Sequence, residues 1–325
     1  MATHTNRYSQ ERIVLSTAVV LAVIFSILSP GFLDVGNLIS LVRNVSILGV
    51  LALAMSLVVI GRGIDLAMIA TMVISSAYFT VLYSSGHSAT MSLLGGLLVA
   101  LLVGLFQGWL VAYAEVPPLF ATLAVGVTLY GFGQLFLIGQ DVSNLPQGDP
   151  IFLAFGSLRF LGVPMQIFAF LAVALAIQGF LTYTKYGRFI YGLGENPAAA
   201  RLIGIPIRIL AVGQYLLCAI LAFAAGVLTV SSVSSMSLRI VNSTMIYDVI
   251  LVVVIGGIGL SGGKGGVRNV LAGTLLMGIL LNGMTLMNVP YAAQNIVKGS
   301  ILLFALMADS YLNPRDEQTE KQGDI

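Results

Sequence analysis

The sequence predicts an all-α, polytopic membrane protein of about ten transmembrane helices, with both termini in the cytoplasm. Three observations lead there. Of the 325 residues, 58% are hydrophobic and 9% charged, against roughly 25% charged in a soluble domain. The mean hydropathy is +1.00, and apolar runs near the about 20 residues a bilayer requires recur along the whole chain. Lysine and arginine, finally, gather in alternate loops.

The runs fall at approximately 13–29, 38–60, 64–83, 91–114, 118–139, 164–183, 207–231, 245–260, 269–287 and 294–312. The first follows Arg7 and Arg12 and leads into Ser29-Pro30-Gly31-Phe32 without a small-x-small cleavage site. It therefore reads as a helix that stays attached, not as a signal peptide. The fourth run carries Gly96, Ala100, Gly104 and Gly108 at intervals of four. Lipid tails are as apolar as leucine, so helices associate through close backbone contact, and this stripe is a packing face. Residues 57–67 (LVVIGRGIDLA) and 252–262 (VVVIGGIGLSG) echo each other. Both end an apolar helix in a glycine-rich break, a pattern that internal repeats or chance between apolar runs would produce.

Only the loops 140–163, 184–206 and 232–244 are long. The first holds turn signals at Asp141, Asn144, Pro146 and Asp149-Pro150. Residues 1–312 are expected to form a single transmembrane domain, and the polar tail 313–325 is expected to be disordered. With the N-terminus inside, the inner face collects Arg7, Arg12, Arg62, Lys185, Arg188, Arg201, Arg208, Lys264, Arg268, Arg315 and Lys321, which is 11 of the 15 basic residues. The opposite orientation reverses this bias, so the 184–206 loop is expected in the cytoplasm.

Several function classes fall away. No basic patch interleaves with aromatic residues, so there is no nucleic-acid surface. Cys218 is the single cysteine and lies in an apolar run, and His4 and His87 read as loop residues near span ends. Gly257-Ile258-Gly259-Leu260-Ser261-Gly262 matches GxGxxG in form. It follows a membrane span, however, and no acid lies in residues 277–285, so no dinucleotide cofactor is implied. Gly263-Lys264 precedes Gly265 where a phosphate-binding loop needs Ser or Thr, so the chain has no ATP site of its own. No HExxH, metal-spaced His/Cys set or paired intramembrane carboxylates occur; the chain is expected to be no enzyme and to hold no metal.

Polar side chains inside the runs need partners or water. Asp65, Gln107, Gln134, Asn282 and Gln294 are candidates for a substrate pathway; interhelical hydrogen bonding is the competing reading for these amides and for Gln178. Arg62, Asp65, Glu115, Asp248 and Lys298 each lie within about a turn of an expected interface, where snorkelling suffices. Arg62 is a candidate partner for Asp65.

Residues 185–208 (KYGRFIYGLGENPAAARLIGIPIR) stand apart as a basic loop between apolar spans. Gly192 and Gly194 are expected to loosen the chain. Asn196 suits an N-cap, Pro197 a first helical turn and Ala198 to Ala200 a helix, with Gly204 and Pro206 ending it. The expected result is a helix of about two turns along the inner face, either an ordinary interfacial helix or one presented to a soluble partner.

The run YGLGENPAAARLIGI (191–205) resembles the cytoplasmic loop of ABC importer permeases of the ribose/xylose/galactoside type. Gly63-Ile64-Asp65-Leu66, residues 256–267 (GGIGLSGGKGGV), Asn282-Gly283-Met284 with Gln294 through Gly299, and Val116-Pro117-Pro118 with Ala121-Thr122-Leu123 are similar to further stretches of that family, in order along nearly the whole chain. The resemblance implies an inner-membrane permease subunit for a monosaccharide or related polyol, working by alternating access. Its implied partners are a cytoplasmic ABC ATPase, a periplasmic or extracellular sugar-binding protein, and a second permease copy or related permease. Gly194, Glu195, Asn196, Pro197, Ala199, Ala200, Arg201 and Gly204 would form the helix that couples to the ATPase. The chain departs from the family's pattern at Ala67-Met68-Ile69, Ile258, Gly259, Glu195 and Leu119-Phe120, which bears on the solute. The alternative from another class is a stand-alone carrier or channel for a small polar solute.

Overall fold

The computed structural model describes residues 7–146, 159–160 and 162–312. The Asp149-Pro150 turn, His4 and the 313–325 tail lie outside the described residues. The chain is an all-α polytopic membrane protein. Its helices are α1 (Arg7–Leu28), α2 (Val35–Ile60), α3 (Met68–Ser84), α4 (Ala89–Ala112), α5 (Pro118–Phe132), α6 (Met165–Tyr183), α7 (Lys185–Glu195), α8 (Pro197–Leu202), α9 (Ile207–Val233), α10 (Met245–Ile255), α11 (Val267–Leu286) and α12 (Tyr291–Leu312). A wider π-turn, Gly133–Ile138, extends α5.

Among the described residues, seven helices are long and apolar enough to cross a membrane: Glu11–Leu28, Val35–Ile60, Ala89–Ala112, Pro118–Ile138, Met165–Tyr183, Ile207–Val233 and Val267–Leu286. Three shorter apolar helices, Met68–Ser84, Met245–Ile255 and Tyr291–Met307, coincide with the other three expected runs. Two of these start or stop short of expectation for a physical reason. The run expected from 64 becomes helical only at Met68, because residues 61–67 form an irregular break. The run expected to reach 260 ends at Ile255, where Gly257 turns into the left-handed region (φ 96°).

The centre of the molecule is α2, α3 and α9. Most of α2 from Leu48 onward is buried, as is α3 from Met68 to Ala77. Helix α9 packs against α4, α2 and α3, while α11 packs against α2, α1 and α10. The small-residue face of α4 does what its spacing predicts. A Cβ added at Gly104 would meet Ala219 and the Leu216 backbone, and one at Gly108 would meet the Val212 backbone. Close approach of α4 and α9 thus depends on both positions.

Two short antiparallel ladders interrupt the all-helical plan. Strand β1 (Val142–Asn144) pairs with β4 (Ser235–Ser237), Val142 facing Ser237; β2 (Arg159–Phe160) pairs with β3 (Val163–Pro164). The 140–163 and 232–244 loops were expected as irregular segments. Pairing satisfies backbone groups that a bare loop would leave to water, and the first ladder ties the loop after α5 to the loop after α9.

Candidate functional site

Three irregular or helix-terminal segments meet at one end of the bundle: residues 60–67, residues 194–204 and residues 256–266. Each owes its shape to local sequence.

At the first, Gly61-Arg62-Gly63 ends α2, and Arg62 adopts a left-handed backbone (φ 67°). Beyond it the chain is irregular up to Ala67 and partly buried, fully so at Asp65 and Ala67, so its polar groups need internal partners. They find them on surrounding helices. Tyr215 Oη donates to Ile64 O at 3.3 Å and Thr122 Oγ1 accepts from Leu66 N at 3.1 Å; just before the break, in the last turn of α2, Leu57 O accepts from Gln214 Nε2 at 2.6 Å. Asp65 is fully buried. Its Oδ1 accepts from Ala67 N at 3.0 Å, at the start of α3, and its Oδ2 accepts from Gln107 Nε2 at 2.8 Å. The Cys218 thiol and the Met68 amide also face the carboxylate. Snorkelling is therefore the wrong account of Asp65: an array of donors from α3, α4 and α9 holds it inside. Gln107 Oε1 is buried and lacks a hydrogen-bond partner.

At the second segment, α7 is N-capped by Thr184, whose hydroxyl accepts from Gly187 N at 3.1 Å. Contrary to expectation, Gly192 and Gly194 do not loosen the chain; α7 runs through both to Glu195. The reason for glycine at 194 is contact, because a Cβ there would overlap Ile60 O and Gly263 N. Asn196 then takes an extended conformation and caps α8, accepting from Ala199 N at 3.0 Å, with Pro197 in the first turn. At the far end Gly204 is left-handed (φ 79°). Ile205 N donates to Ala200 O and Gly204 N to Arg201 O, both at 3.0 Å. This is the paired closure of a Schellman motif, and it fixes the length of α8.

Helix α8 covers Ala200 and Ile205 and leaves Glu195, Asn196, Ala199, Arg201 and Gly204 exposed. Leu202 and Ile203 are 88% and 76% exposed. A cleft of about 480 Å³ lies beside it, lined by Tyr113, Arg201, Ile205, Pro206, Ile207, Arg208 and Ile209. Arg208 reaches Glu115 at 3.0 Å in an exposed ion pair, which joins the start of α9 to the loop after α4.

The third segment follows α10. Left-handed Gly257, Gly262, Gly263 and Gly265 fold it into a compact loop, held by Asn269 Nδ2 donating to Gly256 O at 2.6 Å. Gly263 N donates to Ile60 O at 2.8 Å, and Tyr191 Oη donates to Gly265 O at 2.8 Å. The two echoing glycine breaks are thus joined, and α7 touches both. Arg62 does not serve as the Asp65 partner the sequence offered. Its Nε donates to Gly194 O at 2.7 Å and its Nη2 to Glu195 O at 3.0 Å.

The remaining candidate residues are dispersed. Asn282 and Asn37 form a reciprocal amide pair, each Nδ2 donating to the other's Oδ1 at 2.9 Å. Gln134 Nε2 donates to Asp141 Oδ1 at 2.9 Å, and Gln294 Nε2 to Val289 O at 2.9 Å, both local bonds. The structure therefore brings Asp65 and Gln107 together and keeps Gln134, Asn282 and Gln294 apart. At the opposite end, Lys298 Nζ and Asp248 Oδ1 lie 2.8 Å apart with both side chains largely buried. These two were expected to snorkel; they pair across α10 and α12 instead. Sequence reasoning missed Asn37 and the Arg62 clamp. Arginine between two glycines at a helix end was the available signal for the second.

Residues 37–306 match the protein family described as "Branched-chain amino acid transport system / permease component". The chain is 33% identical to the ribose import permease protein RbsC of Escherichia coli (strain K12) over 307 residues, covering 94% of this chain and 95% of that one. It is 32% identical to the ribose import permease protein RbsC of Bacillus subtilis (strain 168), covering 89% of each. With the L-arabinose ABC transporter permease protein AraH of Azospirillum brasilense it shares 30% identity over 90% of this chain and 86% of that one. No solved structure matches.

Proposed function

The chain belongs to the family of transport-system permease components, and from that membership we propose that it is the transmembrane subunit of an ATP-binding-cassette importer for a monosaccharide or related polyol. ATP is hydrolysed by a separate cytoplasmic subunit, a periplasmic or extracellular binding protein delivers the solute, and a second permease copy or a related permease completes the route. The cycle is alternating access. The relatives' names, a ribose import permease and an L-arabinose ABC transporter permease, support the solute class.

One observation carries the coupling role. Helix α8 is capped at both ends and exposed, with Leu202 and Ile203 in the open, yet its root at Gly194 and Glu195 is bonded through Arg62 to a break in the membrane core. A rigid exposed peg with an anchored root suits transmission of movement from a docked ATPase. Gly194, Glu195, Asn196, Pro197, Ala199, Ala200, Arg201 and Gly204 make up that peg and its root. On this reading the loop and both termini are cytoplasmic, as the arginine and lysine bias requires. The three shorter apolar helices complete ten spans, supported by the longer helices around them.

For the solute route, the partly exposed amides of Asn282, Gln134 and Gln294 suit a hydroxyl-rich cargo. Asp65 and Gln107, enclosed and bonded to each other, would reach the solute only once the spans re-orient. The test is uptake into proteoliposomes containing the permease, its ATPase and the binding protein. Uptake is expected only with all three and ATP. Uptake that persists without the ATPase would identify a stand-alone carrier or channel and sink the importer reading.

A further inference from the structure

We propose that Arg62 is the positioning residue that locks the root of α8 to both glycine breaks, so that displacement of α8 moves the membrane core. This rests on the importer reading above. The two carbonyls Arg62 takes, Gly194 O and Glu195 O, lie in the last turn of α7, where backbone acceptors lack intrahelical donors and the helix dipole favours a cation. The guanidinium fork meets both acceptors in one fixed geometry, whereas an ammonium on a flexible stem has no such preset spacing.

The backbone beneath is equally constrained. Gly263 N donates to Ile60 O, two residues before Arg62. A Cβ at Gly263 would meet the Glu195 backbone, and one at Gly262 would meet the Arg62 side chain and Ile60 O. Three chain segments therefore meet, Gly194 and Gly263 backbone to backbone with Ile60 and Glu195, and the Arg62 side chain against Gly262. Arg62 itself holds a left-handed backbone that glycine would adopt freely, between two residues that are glycine. A strained backbone retained at a junction points to use of the side chain.

The experiment is hydrogen–deuterium exchange on the complete permease–ATPase complex, with and without trapping by ATP and vanadate. In the wild type, trapping is expected to change exchange in α8, in residues 60–67 and in residues 256–266. Arg62→Gly keeps the left-handed backbone and removes the fork. It is expected to retain the change in α8 and to reduce the change at both breaks at least fivefold, with Arg62→Lys between the two. A wild-type response at the breaks in Arg62→Gly overturns the clamp role. If Arg62→Gly does not assemble, Arg62→Lys decides: a reduced response at the breaks supports the role, and an unreduced one overturns it. A wild-type chain that forms no complex with the ATPase overturns the importer reading, and the clamp with it.

Discussion

Lys298 and Asp248 meet 2.8 Å apart across α10 and α12, with 6% and 14% of their side chains exposed. Thr244 Oγ1 accepts from the same Nζ at 3.1 Å, and the Tyr291 ring lies 5.6 Å from it. Breaking a buried pair by removing one partner leaves an uncompensated charge and costs about 3–5 kcal/mol. Lys298→Met is therefore expected to lower the thermal unfolding midpoint in detergent strongly. Asp248→Leu with Lys298→Met should recover most of the loss. A double variant no more stable than the single would show that the charges themselves are not what matters.

Asp65 makes a sharper chemical prediction. Asp65→Asn keeps an oxygen for Ala67 N but presents an amide N–H to Gln107. A flip of the Gln107 amide turns its partnerless Oε1 toward that donor. Asp65→Asn is thus expected to cost less than about 1 kcal/mol, and Asp65→Ala, which leaves Ala67 N without its acceptor and strands Gln107, about 2–3 kcal/mol. Unfolding midpoints of the two variants decide, and equal losses would refute the flip.

The reciprocal pair of Asn37 and Asn282 should behave as one unit. Asn282→Ala leaves Asn37 Oδ1 without its donor, while Asn37 Nδ2 keeps Phe32 O at 2.8 Å, and the expected loss is about 1 kcal/mol. Adding Asn37→Ala should cost less than Asn37→Ala costs alone, since only the bond to Phe32 O is then left to lose. Fully additive losses in the double-mutant cycle would show that the two amides are not coupled. Uptake in Asn282→Ala separately tests its place on the route, since unchanged uptake would remove it from there.

Glycines at the two ends of the exposed helix should respond differently. Gly194→Ala drives a methyl into Ile60 O and the Gly263 backbone, which cannot give way singly. Transport is expected to fall more than tenfold, with a lowered unfolding midpoint. At Gly204 there is open space around a Cβ, and the cost is only that of a left-handed backbone, about 1–2 kcal/mol. Gly204→Asn should recover part of the loss, because asparagine tolerates that conformation. Equal behaviour of Gly204→Ala and Gly204→Asn in thermal unfolding would count against the cap.

Much of this was written in local pattern. Hydropathy located the apolar helices. Asn196, Pro197 and Gly204 marked the two ends of α8, and the four-residue spacing on α4 marked its packing face. What stayed hidden was pairing between distant segments. Nothing near Asn282 announces Asn37, and nothing near Asp248 announces Lys298, because a polar residue in an apolar run reads the same whether it faces water, lipid or a partner. Gly192 and Gly194 misled for a related reason: the sequence shows that a side chain is missing, but not whether its absence serves flexibility or contact.

Leu202 and Ile203 stand almost bare at the polar end of the bundle. If this surface faces the aqueous compartment, as the coupling reading proposes, lipid does not cover it, and an orphan subunit would display a sticky hydrophobic tip of the sort chaperones and membrane proteases inspect. Production of this subunit without its partner should accordingly give short-lived, aggregation-prone material, and balanced co-expression should extend its lifetime in the cell.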